Sequence, residues 1–346
     1  MLKAKTATAR DTKTIEIWDL GFKIRNPKSE IPNKKMLETV TQPNYPRAAL
    51  GLEQESVTAL ALEKEGKGRF GIKQASTVEL PINLLTPSFT EQNISSTDEM
   101  LVMLDEVISN AGLSKQKRWS VSLPSNTART AILTLENEPA KKEELTEILD
   151  WKAENTFGAP SGEMRISRRK ITPDAEGKSR YFATAVKLSI IDEYETLFER
   201  QGWQAGLILP RAVSEANWLI DKKKQRDSLL ISSQTDGFVA LLLRGDEPTV
   251  VRSVTCTDDE RDDEIFRLLM FYRDRFGDES SANFLEKLLA VGKDFSPARL
   301  KEIAAEALGR TLDILRPEDV GLNMPIHTLS FDDLAAPAGL ASLGWK

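Results

Sequence analysis

ALGLEQESVTALALEKEGKGRFGIKQAST, residues 49–77, and LLISSQTDGFVALLLRGDEPTVVRSVT, residues 229–255, repeat one pattern. An apolar strand enters a short polar loop, a second apolar strand leaves it, and a hairpin leads to a third. Strands are expected at Ala48–Leu52, Ser56–Glu63 and Arg69–Thr77, and again at Ser228–Ser232, Gly237–Arg244 and Thr249–Thr255. Glu65-Gly66-Lys67-Gly68 and Gly245-Asp246-Glu247-Pro248 supply the hairpin connections. An offset of about 180 residues is too long for a solenoid repeat. It predicts two related halves facing each other.

Outside these blocks the apolar residues recur at helical spacing. Thr97 is placed to cap a helix carrying Leu101, Leu104, Val107 and Ile108, stopped by Gly112. Further helices are expected over Ala140–Thr156, from Ser189 to Gly202, over Asp258–Phe276, and from Ser296-Pro297 to Gly309. Arg118–Leu123, Thr130–Leu135, Met164–Ile171 and Tyr181–Leu188 read as additional strands. The class is α/β, with mixed sheets and helices on both faces.

Composition narrows the chemistry. The 346 residues carry 47 Lys+Arg against 53 Asp+Glu, a net charge of −6, which disfavours non-specific nucleic-acid binding. One histidine, His327, and one cysteine, Cys256, exclude an internal disulfide and a Cys/His zinc cluster. His327 sits among apolar residues and reads as structural, and Cys256 as a buried thiol. Carboxylate or phosphate chemistry survives, as does binding without chemistry. The first residues lack the apolar core of a secretory signal, and no run approaches the ~18 apolar residues of a membrane helix. These absences predict a cytoplasmic protein whose membrane association runs through a partner. Residues 1–47 differ from the rest, with ten bases against five acids and prolines at 27, 32, 43 and 46. They read as a basic N-terminal extension, with Ile15, Ile17, Trp18, Leu20 and Phe22 as an apolar docking cluster.

The duplicated block resembles that of actin-like ATPases. Within that class, ILDWKAENTFGAPSGEMRISRRKI (148–171), LLMFYRDRFGDES (268–280), ALGRTLDILRPEDVGL (307–322), LAAPAGLASLG (334–344) and VSLPSNTARTAILTL (121–135) are similar, in order, to segments of the type IV pilus assembly protein PilM family. GspL of type II secretion and FtsA are related to it. The resemblance covers about Ala48 to Gly344. It implies a first half over 48–226 with a closing helix at 331–346, an inserted subdomain at about 128–173, and a second half over 227–330. It also implies a scaffold of a pilus or secretion machine, at the cytoplasmic face of the inner membrane. Its partners would be the N-terminal segment of a bitopic PilN-like protein, other inner-membrane assembly or motor components, and copies of itself. An extended peptide would dock in a groove of the first half near the insert.

An ATP-binding relative has an Asp-Ile-Gly-Ser type loop in its first block, whose backbone amides cradle phosphate. Here the loop is Gly51-Leu52-Glu53-Gln54-Glu55-Ser56-Val57, with two carboxylates where phosphates would sit. In the second loop, Ile231-Ser232-Ser233-Gln234-Thr235-Asp236-Gly237, the acidic group is displaced, and a polar hairpin turn is the plainer reading. A Gly-Gly pair near the adenosine would fall at Ala290-Val291-Gly292-Lys293, where one glycine remains. Three weakened signatures predict a pseudo-ATPase with no catalytic residue, no metal and no cofactor. The alternatives are a working ATPase and a filament-forming protein. In the ATPase, Glu53 would position magnesium, and Ser56, Ser232, Ser233, Thr235, Gly237 and Gly292 would contact nucleotide. Trp151 and Phe157 are candidate partner anchors, with core packing an equal alternative. The acidic run Asp258–Glu264 reads as a solvated helix start paired with Arg261, Arg267, Arg273 and Arg275, rather than a metal site.

Overall fold

The computed structural model describes residues 45–220, 226–276, 284–324 and 329–345. The N-terminal apolar cluster and His327 lie outside them. In chain order the elements are β1 (Ala48–Leu52), β2 (Ser56–Gly66), β3 (Arg69–Glu79), α1 (Thr97–Asn110), β4 (Arg118–Leu123), β5 (Arg129–Leu135), α2 (Lys142–Phe157), β6 (Met164–Ile171) and β7 (Ser179–Lys187). There follow α3 (Leu188–Arg200), β8 (Gln204–Pro210), α4 (Arg211–Ala216), β9 (Asp227–Gln234), β10 (Gly237–Arg244), β11 (Glu247–Thr255) and α5 (Arg261–Phe276). The last are β12 (Leu285–Val291), α6 (Pro297–Leu308), β13 (Asp313–Ile314), β14 (Leu322–Asn323) and α7 (Phe331–Leu343).

The sequence repeat becomes a structural repeat. The first sheet has the order β14-β3-β2-β1-β4-β8 and the second β11-β10-β9-β12-β13. In each, three strands form an antiparallel meander, and the first of them then pairs in parallel with a later strand: β1 with β4, β9 with β12. Alternation sends Leu50, Leu52, Val57 and Ala59 into the core of the first half, and Leu229, Ile231, Phe238 and Ala240 into that of the second.

A third sheet, β5-β7-β6, carries α2 and forms the insert. Its extent corrects the expected boundary at 173. β7 is the central strand, pairing along its length with both β5 and β6, so the insert's sheet runs to Lys187. The turn into β7 is closed by Asp174, whose carboxylate accepts the amides of Glu176 and Lys178. A second correction concerns residues 227–330: β14 leaves the second half and joins β3, pairing Leu322 with Phe70.

The helix caps differ slightly from expectation. Ser96, not Thr97, caps α1, and α3 starts one residue before Ser189, after Lys187, with no side-chain cap. Ser296 with Pro297, and left-handed Gly309, bound α6 as expected.

Helix α7 joins the halves. Ten of its residues, Leu334–Leu343, are buried, packed on β1, β2, β4 and α4. Six of them, Leu334, Ala335, Ala338, Leu340, Ala341 and Leu343, belong to a core that also takes Leu60 and Leu62 from the first sheet and Leu230, Leu241 and Leu289 from the second. Small residues permit the close approach: a Cβ on Gly339 would stand 2.3 Å from the Ser214 carbonyl of α4. Asn217 secures this contact, donating to the Gly339 carbonyl at 2.7 Å and to Ser342 Oγ at 2.8 Å.

Candidate functional site

The two polar loops, β1–β2 and β9–β10, meet across a cleft between the halves of about 350 Å³. In the first loop the Glu53 amide donates to the Ser56 carbonyl at 2.9 Å, which folds the loop onto itself. The Glu53 carboxylate turns inward to Arg211 at 3.0 Å. Arg211 opens α4, directly after strand β8, and its Nε reaches Glu215 one turn along at 2.7 Å. Its third nitrogen donates to the Asp332 carbonyl at the start of α7 at 3.4 Å. Glu215 is fully buried, and the Glu53 side chain is 22% exposed. Burial pushes Glu53 up to about 7, although Arg211 pulls the other way. Burial raises Glu215 as well. Desolvation opposes the charge on Arg211, and the two carboxylates overcome it, holding the guanidinium above its usual range. Glu53, the residue that would position magnesium in an ATPase, thus has its carboxylate on Arg211 in this structure.

The remaining predicted residues fall in three groups. Ser56, Ser233 and Thr235 do line the cleft. Ser233 Oγ donates to Asp294 at 3.0 Å, and Thr235 Oγ1 donates to Gln54 Oε1 at 2.9 Å, joining the two loops directly. Gly292 also lines the cleft, but its amide is taken by the Asp332 carboxylate at 2.7 Å. Its positive φ of 148° and tight fit (a Cβ would stand 2.4 Å from Ser233 Cβ) explain the glycine without a nucleotide. Ser232 is buried beneath the cleft, near Glu215. Gly237 does not face the cleft: it starts β10, where a Cβ would stand 2.0 Å from the Val254 carbonyl.

The cleft wall holds six carboxylates, Glu53, Glu55, Asp258, Asp294, Asp332 and Asp333, against the cations Arg211, Arg261 and Lys293. Two further bonds cross between the halves, Ser125 Oγ to the Ser233 carbonyl at 3.3 Å and Asn126 Nδ2 to Asp236 at 2.9 Å. Arg211, Glu215, Asp332 and Ser125 were not singled out from the sequence. The nearest signal was Ser330-Phe331-Asp332-Asp333, a capped helix start in which Ser330 accepts the Asp332 amide.

A second hollow, of about 580 Å³, adjoins the cleft and lies between the first half, the insert and the second half. Ser125, Arg211 and Gln234 line both. Its walls are rich in hydroxyls and amides, among them Ser88, Thr90, Thr130, Thr156, Ser253 and Thr255. Residues of two strands at the ends of their sheets, β5 and β11, line it. Among the described residues β5 pairs only with β7, and β11 only with β10.

The candidate anchors separate. Trp151 is 61% exposed on α2, whereas Phe157 is 1% exposed and packs with Leu133, Leu149 and Ala153 in the insert core. Phe157 is thus a core residue. In the acidic run, Asp258 pairs with Arg261, Glu264 with Arg267, and Asp262 with Arg299 rather than its own helix. No group of three or more metal-ligating side chains occurs among the described residues. Cys256 is half-buried, and burial raises its thiol pKa. No described helix is long and apolar enough to cross a membrane.

Two facing halves, each a βββ meander continued by a parallel strand, with loops meeting at a cleft and a small inserted sheet, define the actin-like fold. The chain is similar to a chain of the PilM-PilN type IV pilus biogenesis complex, at 15% identity over 88% of this chain and 100% of that one, with a TM-score of 0.68. The residues that suggested the PilM family from sequence thus lie in a fold that the solved PilM-PilN structure shares. Weaker likenesses include an actin-like ATPase-fold protein of Bacteroides thetaiotaomicron (12% identity, 85% of this chain, 95% of that one, TM-score 0.43). Another is the cytoplasmic domain of EpsL, an inner-membrane component of the type II secretion system of Vibrio cholerae (10%, 86%, 93%, 0.43). No protein-family model matches the chain, and no curated protein does.

Proposed function

We propose that this chain is a non-hydrolysing actin-like scaffold of a type IV pilus or related secretion machine. It would hold the N-terminal cytoplasmic segment of a PilN-like bitopic membrane protein, and so reach the inner membrane through that partner. The observation that carries the loss of ATP turnover is the state of the cleft. Where phosphates would bridge the two loops, Thr235–Gln54 already does so, and Gly292–Asp332 and Arg211–Glu53 occupy further polar groups of the same cleft. Six carboxylates against three cations also oppose a polyanion in a partly dry site.

Partner binding has its support in the adjoining hollow. Hydroxyls and amides suit a peptide main chain, and the unpaired edges of β5 and β11 offer strand addition. Ser253 is an exposed residue of β11 on the wall of this hollow. The test is calorimetric titration with a synthetic PilN-like N-terminal peptide. Saturable binding, weakened at least about tenfold (about 1.4 kcal/mol) by Ser253→Glu, is expected. No binding by the wild-type chain would refute the partner assignment.

A further inference from the structure

We infer that Glu53, Arg211 and Glu215 form a proton-binding site that locks the two halves together: one buried and one partly buried carboxylate share one guanidinium, and one bound proton makes the set neutral. The geometry places it at a junction. Glu53 comes from the first-half loop, Arg211 and Glu215 from α4, and Asp332 from the start of α7, where its carbonyl meets Arg211 and its carboxylate holds the Gly292 amide of the second half. Glu215 Oε2 is buried without a hydrogen-bond partner, near the Ser232 hydroxyl of β9.

Arg211 is the cation that acts on Glu53 and Glu215, and the surrounding charges do not set a second one against them. Lys293 is 64% exposed and faces Asp333 at 3.6 Å. Arg261, across the cleft, is paired with Asp258 and faces Asp294 at 3.7 Å. Asp332 and Asp333 add negative potential from α7. Ionising both Glu53 and Glu215 therefore leaves net negative charge in a site largely shut off from water, beside the carboxylates that hold the second half.

The direction of the pH dependence follows. Burial raises Glu53 from 4.5 to about 7, and raises Glu215 too. The folded chain then binds the proton more tightly than the unfolded chain. The stabilisation is full below the ordinary carboxylate value and is lost as pH rises from 4.5 through about 7. Few other groups titrate there. The chain has one histidine, His327. Glu193 is also raised, by burial, and accepts the Asn93 and Ile94 amides inside the first half, away from the cleft.

The test combines melting temperature with amide-exchange protection at Gly292, corrected for intrinsic rate, on the full chain between pH 5 and 7.5. Glutamine mimics the protonated carboxyl, so Glu53→Gln and Glu215→Gln each preserve the neutral state. The wild type should melt several degrees lower at the upper end. Its Gly292 protection should fall by up to about tenfold per pH unit, the limit for one linked proton. Either variant should flatten both profiles, while Glu193→Gln and His327→Gln leave them sloped. A flat wild-type profile overturns the lock. So does a slope that survives in both cluster variants, or one that disappears in His327→Gln or Glu193→Gln.

Discussion

Replacing Arg211 with alanine would leave Glu53 and Glu215 without a counter-charge in a site where Glu215 has no exposure at all. A loss of about 3–5 kcal/mol is expected in urea denaturation, the range for breaking a buried pair by removing one partner. Arg211→Lys should recover only part of it, because an ammonium does not reproduce the fork that reaches Glu53, Glu215 and the Asp332 carbonyl together. None of this was legible in the sequence. Arg211 and Glu53 are 158 residues apart, and nothing local to Pro210-Arg211 marks a buried cation. The unusual acidity of Glu53-Gln54-Glu55 was legible, and it marked a loop that lines the cleft. The Glu53 carboxylate is bound to Arg211 within the chain, while Glu55 lines the cleft.

At the scale of elements, periodicity did most of the work. The two meanders were readable because one buried face imposes alternation, and polar loops break it at fixed places. The insert's limit was not readable. Thr172-Pro173 resembles a domain boundary, yet β7 beyond it is hydrogen-bonded on both sides within the insert. Helix α2 shows why aromatic residues alone do not reveal their role. Trp151 and Phe157 lie six positions apart, which on a helix turns them to different faces, one to solvent and one to the core. Phe157→Ala should cost about 3–5 kcal/mol of stability. Trp151→Ala should leave stability within about 0.5 kcal/mol in the same denaturation assay. Helix α7 makes a further demand: Gly339→Ala brings a Cβ against the Ser214 carbonyl and should cost about 1–3 kcal/mol, seen as an earlier thermal transition.

For the whole molecule, the duplicated meander, the helix that closes it and the cleft form one arrangement. In this chain α7 contributes apolar packing to both halves, and its first turn contributes Asp332 to the cleft. Closure of the halves therefore rests on contacts within the chain, with the Glu53 and Asp332 carboxylates bonded to Arg211 and the Gly292 amide in the cleft. The most direct measurement is the melting temperature of the full chain with and without millimolar magnesium-ATP, alongside phosphate release. A ligand at 100 times its dissociation constant adds about 2.7 kcal/mol, a shift of several degrees. The account predicts no shift and no phosphate release. A stabilising shift with magnesium-ATP accompanied by hydrolysis would contradict it.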